Sequence, residues 1–232
     1  LVNLISSGIE WYGEKFSSGT LSRTFSFNWP NSISQVPLRL RASFASRNVG
    51  ATASMITTVN GLPSTPLIFP AVTGTFLDRY AIHLEQDQLY NSAQSSISVS
   101  FDYQSTATGA ECWLNQFEIF GRRSLVKQAD QMLLFRDWRS VGTGAVARFE
   151  LSGATAVVKV WDVTSPVSPV AMRNLSTGNF IFHQDASRLR EYVAFTDVQT
   201  LIPSSIGRIN NQNLHGLSTP EYLIITHPTF LN

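Results

Sequence analysis

Val157-Val158-Lys159-Val160-Trp161-Asp162-Val163-Thr164-Ser165-Pro166-Val167-Ser168-Pro169-Val170 carries the grammar of the whole chain. An apolar run rich in β-branched and aromatic residues is interrupted at Asp162, and a cluster of Thr, Ser and Pro follows. A run of that kind meeting such a cluster reads as a strand entering a constrained loop. Pro166 and Pro169 fix φ and donate no N–H, so the loop cannot continue a central ladder.

The same grammar extends in both directions. Leu38, Leu40, Ala42 and Phe44 alternate with Arg39, Arg41 and Ser43, the clearest period-two segment, and the arginines are expected on a solvated face. Phe25 and Phe27, set against Thr24, Ser26 and Asn28, mark a half-buried strand ended by Pro30. A strand from Thr52 to Val59 is closed by Asn60-Gly61, the strongest short hairpin signal available. Leu62 to Thr75, with Pro63, Pro66 and Pro70, reads as a loop or an edge. Further strands are expected at Phe76–Leu84, Ser96–Tyr103, Cys112–Phe120, Met132–Arg136, Val170–Arg173, Phe180–Phe182 and Arg190–Phe195. Val146–Leu151 and Val157–Trp161 are expected to form a hairpin around Ser152-Gly153, and Leu125–Gln131 a loop or a single helical turn. Gly142-Thr143-Gly144 precedes no helix and is a turn, not a phosphate loop. No long segment before residue 200 has a 3.6-residue period. The expectation is an all-β, antiparallel β-sandwich, with a change of style near Gly121 that allows two lobes.

The end of the chain differs. Leu201 to Gly216 is polar, with Asn210, Asn211 and Asn213, and reads as a linker. Tyr222 to Thr226 is a continuous apolar strand of the kind buried on both faces of a parallel sheet, and Pro228 is placed to begin a helix. The expected division is therefore 1–212, a β-sandwich region, and 213–232, a linker with the first strand of a truncated α/β domain. A strand without its sheet seeks a partner, which would allow self-association through Tyr222–Thr226. The chain opens at Leu1 without a start methionine and reads as a piece of something longer.

Composition narrows the chemistry. The 232 residues are 43% hydrophobic, enough for a large β core, and only 14% charged, a balance suited to extracellular β proteins. A net charge of +1 gives no field favouring nucleic acid. No apolar run approaches a membrane span of about 20 residues. Cys112 is the sole cysteine; it can form no internal disulfide and, beside Trp113 in a strand, is expected as a buried thiol. His83, His183, His215 and His227 have no metal-ligand spacing, and no G-x-S-x-G elbow is present. Asp162 could meet a cation together with Thr164 and Ser165, but Asp ahead of Thr-Ser-Pro more commonly bonds its own turn. The five tryptophans, Trp11, Trp29, Trp113, Trp138 and Trp161, are expected to pack between sheets, Trp113 and Trp161 above all. The alternative is a stacking platform for sugar rings, which would make the chain a carbohydrate-binding β-sandwich module. No cofactor is implied.

Seven segments together resemble one family. Ser7 to Glu14, SGIEWYGE, resembles S-G-x-x-W-[FY]-G-E of PorU-type proteins, which are sortases of the type IX secretion system and relatives of the gingipain cysteine peptidases. Trp113 to Arg123, WLNQFEIFGRR, is similar to that family's W-L-D-[YF]-I-E-[LV]-N-x-R-R, departing at Asn115 and Phe120 among other positions. Gln131 to Asp137, QMLLFRD, and Val160 to Pro169, VWDVTSPVSP, resemble two further segments. Arg190 to Phe195, Asn210 to Leu217 and Tyr222 to Phe230 resemble the approach to, and first strand of, a caspase-like peptidase domain. The resemblance implies a cell-surface parent on the outer-membrane exterior of a bacterium. That parent removes the C-terminal sorting domain of secreted cargo through a Cys–His dyad. Its partners are that cargo and other secretion components. Both dyad residues would lie beyond the last strand of this chain, and Cys112 and His215 match neither. No catalytic, cofactor-binding or metal-binding residue is therefore expected in these positions.

Overall fold

The structure, a computed structural model, describes residues 10–33, 35–92, 95–208, 213, 216 and 218. Contacts divide the chain into Leu1–Gln199 and Thr200–Asn232, and every strand below belongs to the first unit. The strand expected at Tyr222–Thr226, His215, His227 and the expected boundary near residue 212 lie outside the described residues.

Nine strands build a first sandwich: β1 (Lys15–Phe16), β2 (Ser22–Asn28), β3 (Leu38–Arg47), β4 (Ala53–Val59), β5 (Leu62–Pro63), β6 (Leu67–Phe69), β7 (Ile82–Tyr90), β8 (Ser96–Ser105) and β9 (Glu111–Phe120). One sheet runs β1-β9-β3-β7; the other runs β2-β8-β4-β5, with β6 also on β4. All pairings in both sheets are antiparallel. Apart from the short β4-β5-β6 edge, each connection crosses from one sheet to the other. If β5 and β6 count as one strand, the two orders are those of a jelly roll. Both sheets turn alternate side chains inward, and Leu40, Phe44, Met55, Val99, Phe101 and Leu114 meet in the core. Arg39 and Arg41 point outward as expected, paired with Asp87 and Glu118. The Asn60-Gly61 hairpin is present, both residues having positive φ, 49° and 81°, the conformation its turn type requires.

One irregularity sets the parity of β9. Ser43 faces Gln116 and Phe44 faces Leu114, so Asn115 has no partner across the ladder and forms a bulge. Cys112 and Leu114 before it, and Phe117 and Ile119 after it, all face the same core. The extra residue absorbs a spacing that would otherwise turn one pair outward.

A second, smaller sandwich follows: β10 (Leu125–Val126), β11 (Leu133–Phe135), β12 (Val146–Ser152), β13 (Lys159–Asp162), β14 (Val170–Ala171), β15 (Phe180–Asp185) and β16 (Tyr192–Phe195). Its sheets are β10-β12-β15 and β11-β16-β13-β14. Its core is aromatic: Phe149 stacks on Phe182 at 5.1 Å and Phe135 on Tyr192 at 5.2 Å. Stacked and tilted pairs of this kind add to the area they bury. Two cores therefore make a two-lobed all-β unit, with the change of lobe after Phe120, beside Gly121.

Two expectations are corrected. Val146–Leu151 and Val157–Trp161 do not form a hairpin: β12 pairs with β10 and β15, and β13 with β14 and β16, in opposite sheets. Gly153, with φ +70° and only 2.6 Å between its would-be Cβ and the Lys127 carbonyl, turns the chain across the lobe instead. The strand expected at Phe76–Leu84 begins only at Ile82 and runs on to Tyr90. Residues 76–80 are an exposed loop in which Asp78 accepts bonds from the Thr73 N–H and hydroxyl, each at 2.7 Å.

The bulge makes two deletions diverge. Removing Asn115 should restore a regular ladder with Phe117 and Ile119 still inward, leaving the melting temperature close to wild type. Removing Glu118 should turn Ile119 outward, forfeiting its burial at about 1.5–3 kcal/mol and setting Phe120 in its place. Thermal melts of the two variants check this.

Candidate functional site

The lobes are joined by Gly121-Arg122-Arg123-Ser124, and this strap is held from both sides. Ile33 N–H donates to the Arg122 carbonyl at 3.0 Å and Ser124 N–H to the Asn31 carbonyl at 2.8 Å, fixing it to the first lobe. Gly121 leaves no room for a side chain, since a Cβ there would lie 2.5 Å from Leu38 Cδ2 and 3.2 Å from Trp29 Cζ2. The Arg123 guanidinium lies over the Trp29 ring, 5.3 Å from its centre. Arg122 reaches the second lobe, its Nε donating to Asp137 Oδ1 at 3.2 Å while Nη2 donates to Oδ2. Asp137 in turn accepts from the Arg139 N–H at 3.1 Å and so caps the turn Trp138–Ser140.

Beside the strap lies a cleft of about 590 Å³, lined by Trp29, Arg122, Arg123, Leu134, Arg136, Arg148 and Phe149 among others. Its cations are mostly neutralised: Arg122 by Asp137, Arg136 by Glu191 at 2.6 Å, and Arg148 by Glu150 at 2.8 Å. Asn179 and then Arg148 hold the Glu150 carboxyl below its ordinary pKa. Each carboxylate in the cleft wall is thus committed to a guanidinium, a poor arrangement for a general base.

The second charged centre lies at the opening stretch. Asp162 is buried at the end of β13. Its Oδ1 accepts from the Thr164 N–H at 3.0 Å and hydroxyl at 2.5 Å, and its Oδ2 from Arg190 Nη1 at 3.0 Å. Arg190 also pairs with Asp185 at 2.9 Å, and Glu191 N–H donates to the Thr164 hydroxyl at 3.0 Å. Asp162 therefore bonds its own turn, and both its oxygens are occupied by donors. Burial alone would raise its pKa; the Thr164 bonds and Arg190 outweigh that and lower it. Arg190, with Ser187, lowers Asp185 too.

These pairs connect the segments singled out in the sequence. Arg122 of WLNQFEIFGRR meets Asp137 of QMLLFRD, Asp162 of VWDVT meets Arg190 of REYVAF, and Arg136 meets Glu191. In the first lobe, Tyr12 of the WYGE segment is fully buried with Ala45, Ala81 and Trp113. No sequence signal couples charges so far apart, and reading each motif separately missed the pairs.

The remaining candidates are dispersed. Cys112 is buried between the sheets of the first lobe, and burial pushes its thiol pKa up. His83 lies edge-on to Tyr12 at 6.4 Å, and His183 is exposed on β15. Among the described residues no His, Cys, Asp and Glu group could hold a metal ion, and no helix is long and apolar enough to cross a membrane. Trp113 is buried, but its neighbours Cys112 and Leu114 take the inter-sheet face and it packs on the opposite one. Trp161 is likewise not between sheets: Val158 and Val160 take the core, and period two sends Trp161 outward, 37% exposed and edge-on to Phe195 at 5.1 Å. Trp11 and Trp138 are exposed, and Trp29 is half-buried at the cleft.

No protein-family model matches the chain, and no curated protein does. Among solved structures, dimeric latent PorU from Porphyromonas gingivalis superposes with a TM-score of 0.72 at 22% identity, covering 91% of this chain and 21% of PorU. This chain has the fold of about a fifth of PorU. A Paenibacillus cycloisomaltooligosaccharide glucanotransferase complexed with cycloisomaltoheptaose aligns over 75% of this chain and 40% of its own, at 8% identity. Its TM-score of 0.27 is too low to carry an argument.

Arg190→Ala should destabilise the protein by roughly 3 kcal/mol in urea denaturation at pH 7, because it strands a buried carboxylate. The pH dependence follows from the lowered Asp162 and Asp185. Unfolded, they titrate near about 3.9; folded, lower. Their contribution is fully present above the unfolded value and is lost as pH falls through the folded one. The gap between wild type and Arg190→Ala should therefore narrow in acid.

Proposed function

We propose that the chain is the non-catalytic β-sandwich region of a PorU-like cysteine peptidase of the type IX secretion system, displayed on the exterior of the outer membrane. The observation that carries this reading is the superposition of both lobes, in order, on part of PorU over 91% of the chain. Four of the resembling segments, 113–123, 131–137, 160–169 and 190–195, also support it, since their charged residues pair with one another across the lobes and within the second lobe.

On this reading the region supports the peptidase domain and helps present secreted cargo, whose C-terminal sorting domain that other domain removes. Residues 213–232 would be the approach to that domain and its first strand, also able to pair between copies. The cleavage chemistry would reside elsewhere in the parent. A thiolate nucleophile needs a lowered pKa and access to the peptide carbonyl. Cys112 has a raised pKa and sits within a core, and the carboxylates of the inter-lobe cleft are bound to arginines. The contribution left to this region is architecture: two lobes joined by a short, pinned strap.

Cleavage of a cargo sorting-domain peptide tests this, comparing the 232-residue chain with the full-length parent. The expected outcome is turnover by the parent and none by the chain, whether or not Cys112 is replaced by Ala. Turnover by the chain that Cys112→Ala abolishes would overturn the reading.

A further inference from the structure

The β2 strand, Ser22–Asn28, is an edge of its sheet. β8 occupies one side in unbroken register, from Ser22↔Asp102 to Asn28↔Ser96. Two bonds at its ends set the phase: Tyr103 N–H donates to the Leu21 carbonyl and Trp29 N–H to the Ser95 carbonyl, both at 2.8 Å. In an antiparallel ladder the bonded residues alternate. Arg23, Phe25 and Phe27 therefore turn their backbone groups toward β8, and Ser22, Thr24, Ser26 and Asn28 turn theirs away. Among the described residues no other strand pairs with β2, and those four residues are all exposed.

Exposed edges are ordinarily blunted by proline, a bulge or a charge. β2 has neither proline nor bulge. Its one charged side chain, Arg23, is drawn aside to the Lys15 carbonyl at 3.1 Å and Glu14 at 3.2 Å. The core beneath is incompletely covered. Phe27 faces inward against Phe117 at 5.8 Å, yet is 39% exposed. Across the flank, β1 pairs with β9 only at Cys112 and Trp113, with two further bonds to Leu114. The outer half of β9 carries no strand on that side among the described residues.

We propose that this edge accepts an extended segment of another protein as an added strand, a β-augmentation site. The segment presents apolar residues at alternate positions to cover Phe25 and Phe27, and uncharged polar residues beside Ser22, Thr24, Ser26 and Asn28. A second copy's β2 fits less well. Antiparallel self-pairing that uses all four outward residues centres on Phe25 and sets Phe27 opposite Arg23. That guanidinium is already held by Lys15 and Glu14, so Phe27 would stay uncovered.

The test uses a labelled heptapeptide alternating threonine and valine between terminal lysines, titrated with the 232-residue chain and read by fluorescence anisotropy. Saturable binding is expected. N-methylation of the threonine amides, which face β2, should weaken it at least tenfold, whereas N-methylation of the valine amides should leave it unchanged. Thr24→Pro should weaken binding as strongly, and its melting temperature should hold, because the N–H it removes points away from β8. The proposal is overturned if wild type shows no saturable binding, if both methylated peptides bind alike, or if a stably folded Thr24→Pro binds like wild type. It is also overturned if sedimentation finds a dimer that Thr24→Pro dissolves, because a second copy would then occupy the edge.

Discussion

Burial of one alternate face per strand, shared between two facing sheets, is the constraint from which the rest of this structure follows. Every strand of the first lobe must keep its parity from end to end, since a slip of one residue exchanges core for solvent. β9 keeps it only by leaving Asn115 outside the ladder. Phe117 and Ile119 then pack inward, and the chain arrives at Gly121 where Leu38 and Trp29 leave no space for a side chain. From that point Arg122 can reach Asp137 and Arg123 can lie on Trp29. The placement of the second lobe is in this sense a consequence of core packing in the first.

Much of the fold is legible locally. β3 declares itself by strict alternation, β8 by Ile97, Val99, Phe101 and Tyr103, and the β4–β5 turn by Asn60-Gly61, whose backbone preference needs no tertiary information. The bulge also left a trace, because the inward spacing of two residues from Cys112 to Leu114 becomes three from Leu114 to Phe117. What failed is non-local. β12 and β13 carry the same pattern as a hairpin would, and nothing in either strand states which sheet it joins. Phe76 and Leu77 are apolar enough to suggest a strand, but the Thr73–Asp78 bonds tie that segment into a loop. Trp161 looks like a core residue by size, while the parity of Val158 and Val160 assigns it to the outer face.

The motif charges changed meaning once they were placed in space. Acidic and basic residues in a cleft invite a chemical reading, yet here they satisfy one another: Arg122 with Asp137, Arg190 with Asp162 and Asp185, Arg136 with Glu191. The exposed pairs among these contribute little singly. The pair that matters most to stability is the one buried at Asp162, where turn bonds and an arginine converge on one carboxylate. Such residues position strands and lobes, in keeping with the architectural role proposed for this region.

The most direct test of this account is a charge exchange at the strap, made in the PorU-like parent proposed for this chain. Arg122→Asp and Asp137→Arg are each measured alone and then together, reading both thermal stability and cargo processing. If the pair is architectural, each single change should lower stability and processing in parallel, and the exchange should recover much of both. Recovery of stability without recovery of processing would mean that these residues act on the substrate, and would contradict the account.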